Sequence, residues 1–157
     1  KKKDNKSDVL VEGEGGVSVT FASCCNPVPG DDIVGYSSMR RGITVHRCEC
    51  RNVAGIEGER KISVSWSLPE LSLTGGKRPN SYTARLKMEA EGRDDILADI
   101  TRVLGLEGSS ISSYKAPATS SGLMRIKMEI RVRDLQHLYS AMSRINEVRG
   151  ILSVERE

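Results

Sequence analysis

All four cysteines of this chain, and one of its two histidines, fall within the stretch CCNPVPGDDIVGYSSMRRGITVHRCEC, residues 24–50. Thiols and an imidazole at that density suit a metal site, a nucleophilic thiol, a redox dithiol or a disulfide staple. A staple is disfavoured, because no apolar secretion signal follows the basic start of the chain. Redox dithiols usually carry C-x-x-C, whereas the pairs here are the adjacent Cys24 and Cys25 and the C-x-C of Cys48 and Cys50. A cysteine nucleophile using His46 as base would need an orienting third group and a pocket, which a small hairpin unit does not obviously supply. Zinc asks for four soft or borderline donors in a tetrahedron. His46 and Cys50 are four apart, a common spacing for the second half of a zinc module, and Cys24 with Cys25 supplies the rest. Adjacent side chains of a strand point to opposite faces, so both cysteines reach one metal only from a turn, for which Pro27 and Pro29-Gly30 are the candidates. The competing reading makes Cys24 and Cys25 small buried hydrophobes.

The elements around these residues read as short strands over Val9–Glu12, Val17–Ala22, Ile33–Ser37, Ile43–His46 and Lys61–Trp66, broken at Gly15-Gly16, Pro29-Gly30 and Arg41-Gly42. So small a β unit, with Phe21, Trp66 and scattered aliphatics for a core, commonly needs a metal or another staple. The stretch SLPELSLTGGKRPNS, residues 67–81, has two prolines, a Gly-Gly and no apolar period, and reads as a linker. Residues 82–157 then show a different pattern. Tyr82, Ala84, Leu86, Met88 and Ala90 alternate with polar residues. Ile96, Leu97, Ile100, Val103 and Leu104 form a helical stripe with acidic residues at its start and Gly108 beyond its end. Ile111–Lys115 is a short strand, and Met124, Ile126, Met128, Ile130 and Val132 alternate again. Asp134 is placed to cap a second helix striped by Leu135, Leu138, Met142 and Ile145, and ILSVE closes the chain as a strand. The order βαββαβ is ferredoxin-like, with both helices on one sheet face. The fold class expected is α+β, a small β-rich zinc-binding-type module (9–66) followed by a βαββαβ domain (82–157).

Composition narrows the partners. The net charge is +3, and residues 1–67 carry 10 basic and 9 acidic side chains against 12 and 11 in residues 80–157. Neither part is a basic domain, so nucleic-acid contact must rest on local clustering. Arg40, Arg41, Arg47 and Arg51 bracket the strand at Ile43 and offer such a cluster; the alternative is an ordinary solvated hairpin. No run of about 18 apolar residues occurs, which speaks against a membrane span and for a cytoplasmic protein. The opening KKKDNKS has no periodicity and reads as a disordered leader (1–8) on a fragment of something longer. No Gly-rich phosphate loop or clustered metal-binding carboxylates appear, so no catalytic centre is expected; Asp31-Asp32 and Asp94-Asp95 read as turn and helix-start residues.

CCNPVPGDDIVGY, then RRGITVHR, then CRN resembles the C-terminal regulatory region of long RelA/SpoT-type (p)ppGpp synthetase/hydrolases, enzymes of the GTP pyrophosphokinase type. Carried over position by position, the matching residues are Cys24, Cys25, His46, Cys50 and Asn52. Cys48 falls where that family usually has another residue, which puts it outside the ligand set. The resemblance implies zinc as cofactor, the catalytic domains of a parent chain, and docking on the ribosome near the A site. There Arg40, Arg41, Arg47, Arg51 and Asn52 would face ribosomal RNA, so that uncharged tRNA switches on alarmone synthesis in the stringent response. Residues 82–157 resemble the ACT domain that ends those proteins, which implies a homodimer and an amino-acid site at the dimer interface, with a branched-chain amino acid as candidate. The positions concerned are Arg93, Asp94, Asp95, Ile96, Leu97, Ser110 and Ile111. The loop departs from the family's pattern: Gly92 stands at its acidic position and Asp95 at its glycine position, so a ligand carboxylate would meet a like charge. An amino-acid sensor without a ribosome role is the alternative function.

Overall fold

In a computed structural model of the 157-residue chain, residues 9–12, 18–38, 42–55, 60–67, 82–117 and 122–157 are described. The predicted leader and all of the predicted linker after Ser67 lie outside them. The chain divides into two compact units, residues 1–78 and 79–157. Among the described residues no helix is long and apolar enough to cross a membrane.

Among its described residues the first unit has six strands, β1 (Val9–Val11), β2 (Val19–Phe21), β3 (Ile33–Ser38), β4 (Gly42–Arg47), β5 (Arg60–Ile62) and β6 (Val64–Trp66), with a 3-10 helix at Arg51–Gly55. They form a four-stranded sheet in the order β2-β4-β3-β5 and a two-stranded one, β1-β6. Alternation in β4 buries Ile43 and Val45 on one face, where Val9 joins them, and Phe21, Ile33, Ile62, Val64 and Trp66 pack around that centre. Phe21 and Trp66 stack at 5.5 Å, and the indole N–H donates to the Asp31 carbonyl at 2.9 Å. Gly35 makes this packing possible: a Cβ there would lie 2.9 Å from Val64 Cγ1 and 3.2 Å from Ile43 Cγ2.

One feature differs from the sequence expectation, and two are not addressed by it. The single strand predicted over Lys61–Trp66 breaks at Ser63, so that β5 pairs with β3 while β6 pairs with β1. β2 lies parallel to β4, with Phe21 opposite Val45. The 3-10 helix was not anticipated, because its sequence RNVAG has no apolar period to betray it.

The second unit comprises β7 (Tyr82–Glu91), α1 (Ile96–Leu106), β8 (Ser110–Lys115), β9 (Leu123–Val132), α2 (Leu135–Asn146) and β10 (Ile151–Arg156). The sheet order is β10-β7-β9-β8 with every neighbour antiparallel, the ferredoxin-like arrangement that the sequence pattern predicts. Ala84, Leu86, Met88 and Ala90 of β7 and Ile126, Ile130 and Val132 of β9 are fully buried against Ile96, Ile100, Leu104, Leu138 and Ile145 from the helices. The other face carries a ladder of ion pairs, Arg85–Glu129, Lys87–Glu155, Arg125–Glu89 and Lys127–Glu157, at 3.3–3.8 Å. These side chains are about a third or more exposed, so each pair contributes about 0–1 kcal/mol and sets register more than stability.

Asp134 caps α2, its carboxylate accepting the His137 backbone N–H at 2.8 Å. His137 itself is buried, which the stripe reading overlooked. Its Nδ1 accepts the Arg133 N–H at 3.0 Å, so the proton lies on Nε2, which donates to the Glu107 carbonyl at 2.6 Å. One imidazole thus closes the C-terminus of α1 and the N-terminus of α2 together.

Candidate metal centre

The cysteine turn is set by the backbone. After β2, Asn26 donates its N–H to the Ala22 carbonyl at 3.0 Å, and Asn26 adopts φ 45, a conformation asparagine tolerates better than most residues. Cys24 and Cys25 therefore lie in the turn itself and face one centre. The expectation that Pro27 and Pro29-Gly30 make this turn is corrected: they belong to the next one, where the Asp31 carboxylate accepts the Val28 N–H at 2.8 Å. His46 follows from alternation, since Ile43 and Val45 occupy the core face of β4 and place His46 on the other. Tyr36 holds the imidazole edge-on at 5.9 Å. Cys50 enters from a turn closed by its own N–H on the Arg47 carbonyl at 3.0 Å, and its carbonyl receives the Val53 N–H at 3.1 Å as the 3-10 helix begins.

These elements bring the donor atoms of Cys24, Cys25, His46 and Cys50 within 4.8 Å of one another, and Cys48 is not in the group. Zinc bonds of about 2.3 Å to sulfur and about 2.0 Å to nitrogen imply tetrahedral edges of roughly 3.8 Å for S···S and roughly 3.5 Å for S···N. The measured edges are 3.6 Å for Cys24 Sγ–Cys50 Sγ, 3.4 Å for Cys24 Sγ–His46 Nδ1 and 3.9 Å for Cys25 Sγ–His46 Nδ1. These three edges fit a tetrahedral divalent ion, for which Nδ1 would be the histidine donor.

The electrostatics of the cluster are divided. Burial pushes the Cys25 thiol up to about 12, against the Arg47 backbone N–H that reaches its sulfur at 3.3 Å. Burial also acts to raise Cys50, but hydrogen bonds from the Asn52 backbone, the Cys24 and Cys25 side chains and the Val53 backbone outweigh it and hold that thiol below its ordinary value. A cation at the centre would stabilise thiolates at both positions together.

Residues 9–67 match the model of the RelA/SpoT RIS domain, and residues 78–156 match an ACT domain model. The chain belongs to the RelA/SpoT C-terminal region, a RIS domain followed by an ACT domain. Both are regulatory domains. The chain is 35% identical over 154 residues to a GTP pyrophosphokinase of Myxococcus xanthus, covering 98% of this chain and 19% of that protein. It is 32% identical over 158 residues to a GTP pyrophosphokinase of Escherichia coli, covering 98% and 20%. It therefore spans about a fifth of the length of the curated relatives it matches. The ACT domain from a GTP pyrophosphokinase of Chlorobium tepidum, a solved structure, aligns at 23% identity and a TM-score of 0.42, over 48% of this chain and 96% of that one.

Within the RIS domain, Arg40 and Arg41 lie outside the described residues. Arg47, Arg51 and Asn52 are described, and Arg47 and Asn52 touch the cysteine cluster. Arg47 meets Cys25 through its backbone N–H, Arg51 follows Cys50 directly, and Asn52 hydrogen-bonds Cys50 through its backbone.

In the ACT domain the two halves of the expected amino-acid site are not brought together within one chain. Ser110 pairs with Arg131, and Arg131 with Thr83 near the start of β7, whereas Arg93 follows Glu91 at its end. At about 3.3 Å per residue, the strand between Thr83 and Glu91 separates them by roughly 26 Å. Ser110 and Ile111 instead line a groove of about 600 Å³ between β8 and Thr101, Leu104 and Gly105 of α1.

At the other end, Arg93 bonds Asp95 at 2.5 Å, Asp99 at 2.7 Å and the Arg149 carbonyl at 2.8 Å. Its guanidinium is held charged chiefly by Asp99 and then Asp95, and in turn keeps the Asp95 carboxyl below its ordinary 3.8. Asp95 takes the helix-start place expected of it, at the N-cap of α1, with its carboxylate engaged by Arg93 and no side-chain capping bond.

Proposed function

We propose that this chain is the regulatory tail of a (p)ppGpp synthetase/hydrolase, in which one zinc ion holds the RIS domain and the domain docks on ribosomal RNA near the A site. Arg40, Arg41, Arg47, Arg51 and Asn52 supply the RNA contacts, and the catalytic domains of the parent chain respond to uncharged tRNA. The observation that carries this reading is the coupling of ligand and contact residues: the backbone segment bearing Arg47, Arg51 and Asn52 is the one that positions Cys50 and touches Cys25. A metal there fixes the orientation of side chains aimed at phosphates, which position a protein on nucleic acid without reading its sequence. Zinc, when bound, supplies folding energy and charge neutralisation only; no reaction step is assigned to it.

In the same reading the ACT domain self-associates. Among the described residues β8 is an edge strand, and the groove beside it is lined by exposed Tyr114, so a second copy covers both a strand edge and apolar surface. The rival, an amino-acid sensor, also requires two copies, because Arg93–Leu97 and Ser110–Ile111 lie at opposite ends of one sheet. The deciding experiment pairs elemental analysis of the purified chain with RNA binding measured across a salt series. One zinc per chain and a steep salt dependence support the proposal; a metal-free folded chain with no RNA affinity overturns it.

A further inference from the structure

The four donors of the cluster differ in what surrounds them. Cys24 is exposed and Cys50 partly so, whereas Cys25 is buried and 2% exposed. The sulfurs of Cys24 and Cys50 stand 3.6 Å apart, and both residues lie in turns, where side-chain rotation is not opposed by a strand ladder. A disulfide needs about 2.05 Å, so the sulfurs have to close by roughly 1.5 Å. Cys48, also exposed, lies in the same turn as Cys50, with its N–H anchored on the Asp32 carbonyl at 2.8 Å.

We propose that Cys24 and Cys50 are an oxidation site, forming a reversible disulfide with a hydroperoxide and expelling the metal as they do so. Solvent reaches Cys24 first. Its sulfur attacks one peroxide oxygen, the O–O bond breaks, and a sulfenic acid forms with release of water when the peroxide is hydrogen peroxide. Cys50 Sγ then attacks the Cys24 sulfur, the S–O bond breaks, and a second water leaves with the two thiol protons accounted for. Two sulfurs are each oxidised by one electron, and the two peroxide oxygens are reduced. The product leaves Cys25 and His46 as the remaining good donors, too few for a closed zinc site. The buried thiol is thus a fixed ligand and the exposed pair is the releasable one. The metal half of this inference rests on the zinc reading above; the disulfide half stands on the sulfur geometry alone.

The test treats the 157-residue chain with hydrogen peroxide as isolated, without prior chelator treatment. Zinc is counted by elemental analysis beforehand, and alkylation is mapped by tandem mass spectrometry. The expected result is a joint loss of alkylation at Cys24 and Cys50, a disulfide linking their peptides, and retained alkylation at Cys25 and Cys48. A colorimetric chelator should register one zinc released per disulfide in the loaded chain, and dithiothreitol with added zinc should reverse both signals. Cys48→Ser should behave as the parent. A disulfide through Cys25 or Cys48, or four alkylatable thiols after the chain meets peroxide, overturns the inference. A chain free of zinc at the outset refutes the metal reading separately, and the mapped disulfide then decides the rest.

Discussion

Replacing Cys50 by serine should unfold the RIS domain and spare the ACT domain. Among the described residues of the RIS domain, seven apolar side chains besides Cys25 are buried, Val9, Ala22, Val28, Val34, Tyr36, Ile43 and Val45, of which Val9, Ile43 and Val45 form one cluster. Fully burying such side chains stabilises by about 1.5–3 kcal/mol each, so the seven together supply roughly 10–20 kcal/mol. Ordering the backbone costs about 1–2 kcal/mol per residue, which a core of that size cannot offset alone. Structural zinc contributes about 10–16 kcal/mol in small modules, comparable with or larger than the roughly 5–15 kcal/mol by which whole domains are stable. Losing one of four ligands should therefore remove most of the folding free energy. The chain's one tryptophan, Trp66, reports on this domain alone, because it stacks on Phe21 and donates to Asp31. In Cys50→Ser its emission should shift to the red without denaturant, and chelator titration of the parent should reproduce the shift, while backbone amides of residues 82–157 keep their positions. A Cys50→Ser chain with parental Trp66 emission and an unchanged melting curve would refute the reasoning and return the cysteines to the core.

Alanine at Arg40, Arg41 and Arg47 together should weaken RNA binding and flatten its salt dependence by about 0.7–0.9 logarithmic units of slope for each phosphate no longer neutralised; filter binding at several salt concentrations checks this, and an unchanged slope counts against the arginines. The ACT domain should self-associate before it binds a free amino acid, so sedimentation should show dimers while valine, leucine and isoleucine leave amide shifts at Arg93–Leu97 and Ser110–Ile111 unmoved; saturable shifts at sub-millimolar ligand would favour the sensor. Because Arg93 holds the folded Asp95 carboxyl below 3.8, the stabilisation it gives is present above that value and lost as pH falls through the lower folded one. A carboxyl titration followed by NMR should place the Asp95 midpoint below 3.8, and Arg93→Ala should move it back up.

Patterning was readable where each element carries its own period. The alternation of β7 and β9 and the stripes of α1 and α2 are local, and together they leave one economical topology. What escaped was set by partners far away in the chain. Ser63 looks like one polar step in a continuous strand, and becomes a boundary only because β1 and β3 claim the two sides of it. His137 reads as a polar break in a stripe until Arg133 and Glu107 satisfy both of its nitrogens. For the metal centre, residue types and spacing sufficed to nominate the four donors, but not the turn that aims them, since the φ of Asn26 leaves no mark in composition. In the ACT domain the sequence holds Arg93 and Ser110 with no distance between them, and the register of β7, β9 and β8 supplies it.

The parallel pairing of β2 with β4 has a consequence for how this chain reaches its fold. The two strands run the same way, so the cysteine turn that leaves β2 and the His46–Cys50 segment that leaves β4 emerge at the same end of the sheet. A slip of one residue between them would turn His46 toward the Val9 cluster and carry Ile43 and Val45 out of it. Only the native register therefore assembles a complete donor set. A metal that demands all four donors would act as a proofreader of strand alignment, rewarding the one pairing in which core and ligands are both correctly placed. Such a check matters most in a pairing of this kind, where strands distant in sequence must find each other across a crossover and slow, misaligned encounters are the natural hazard.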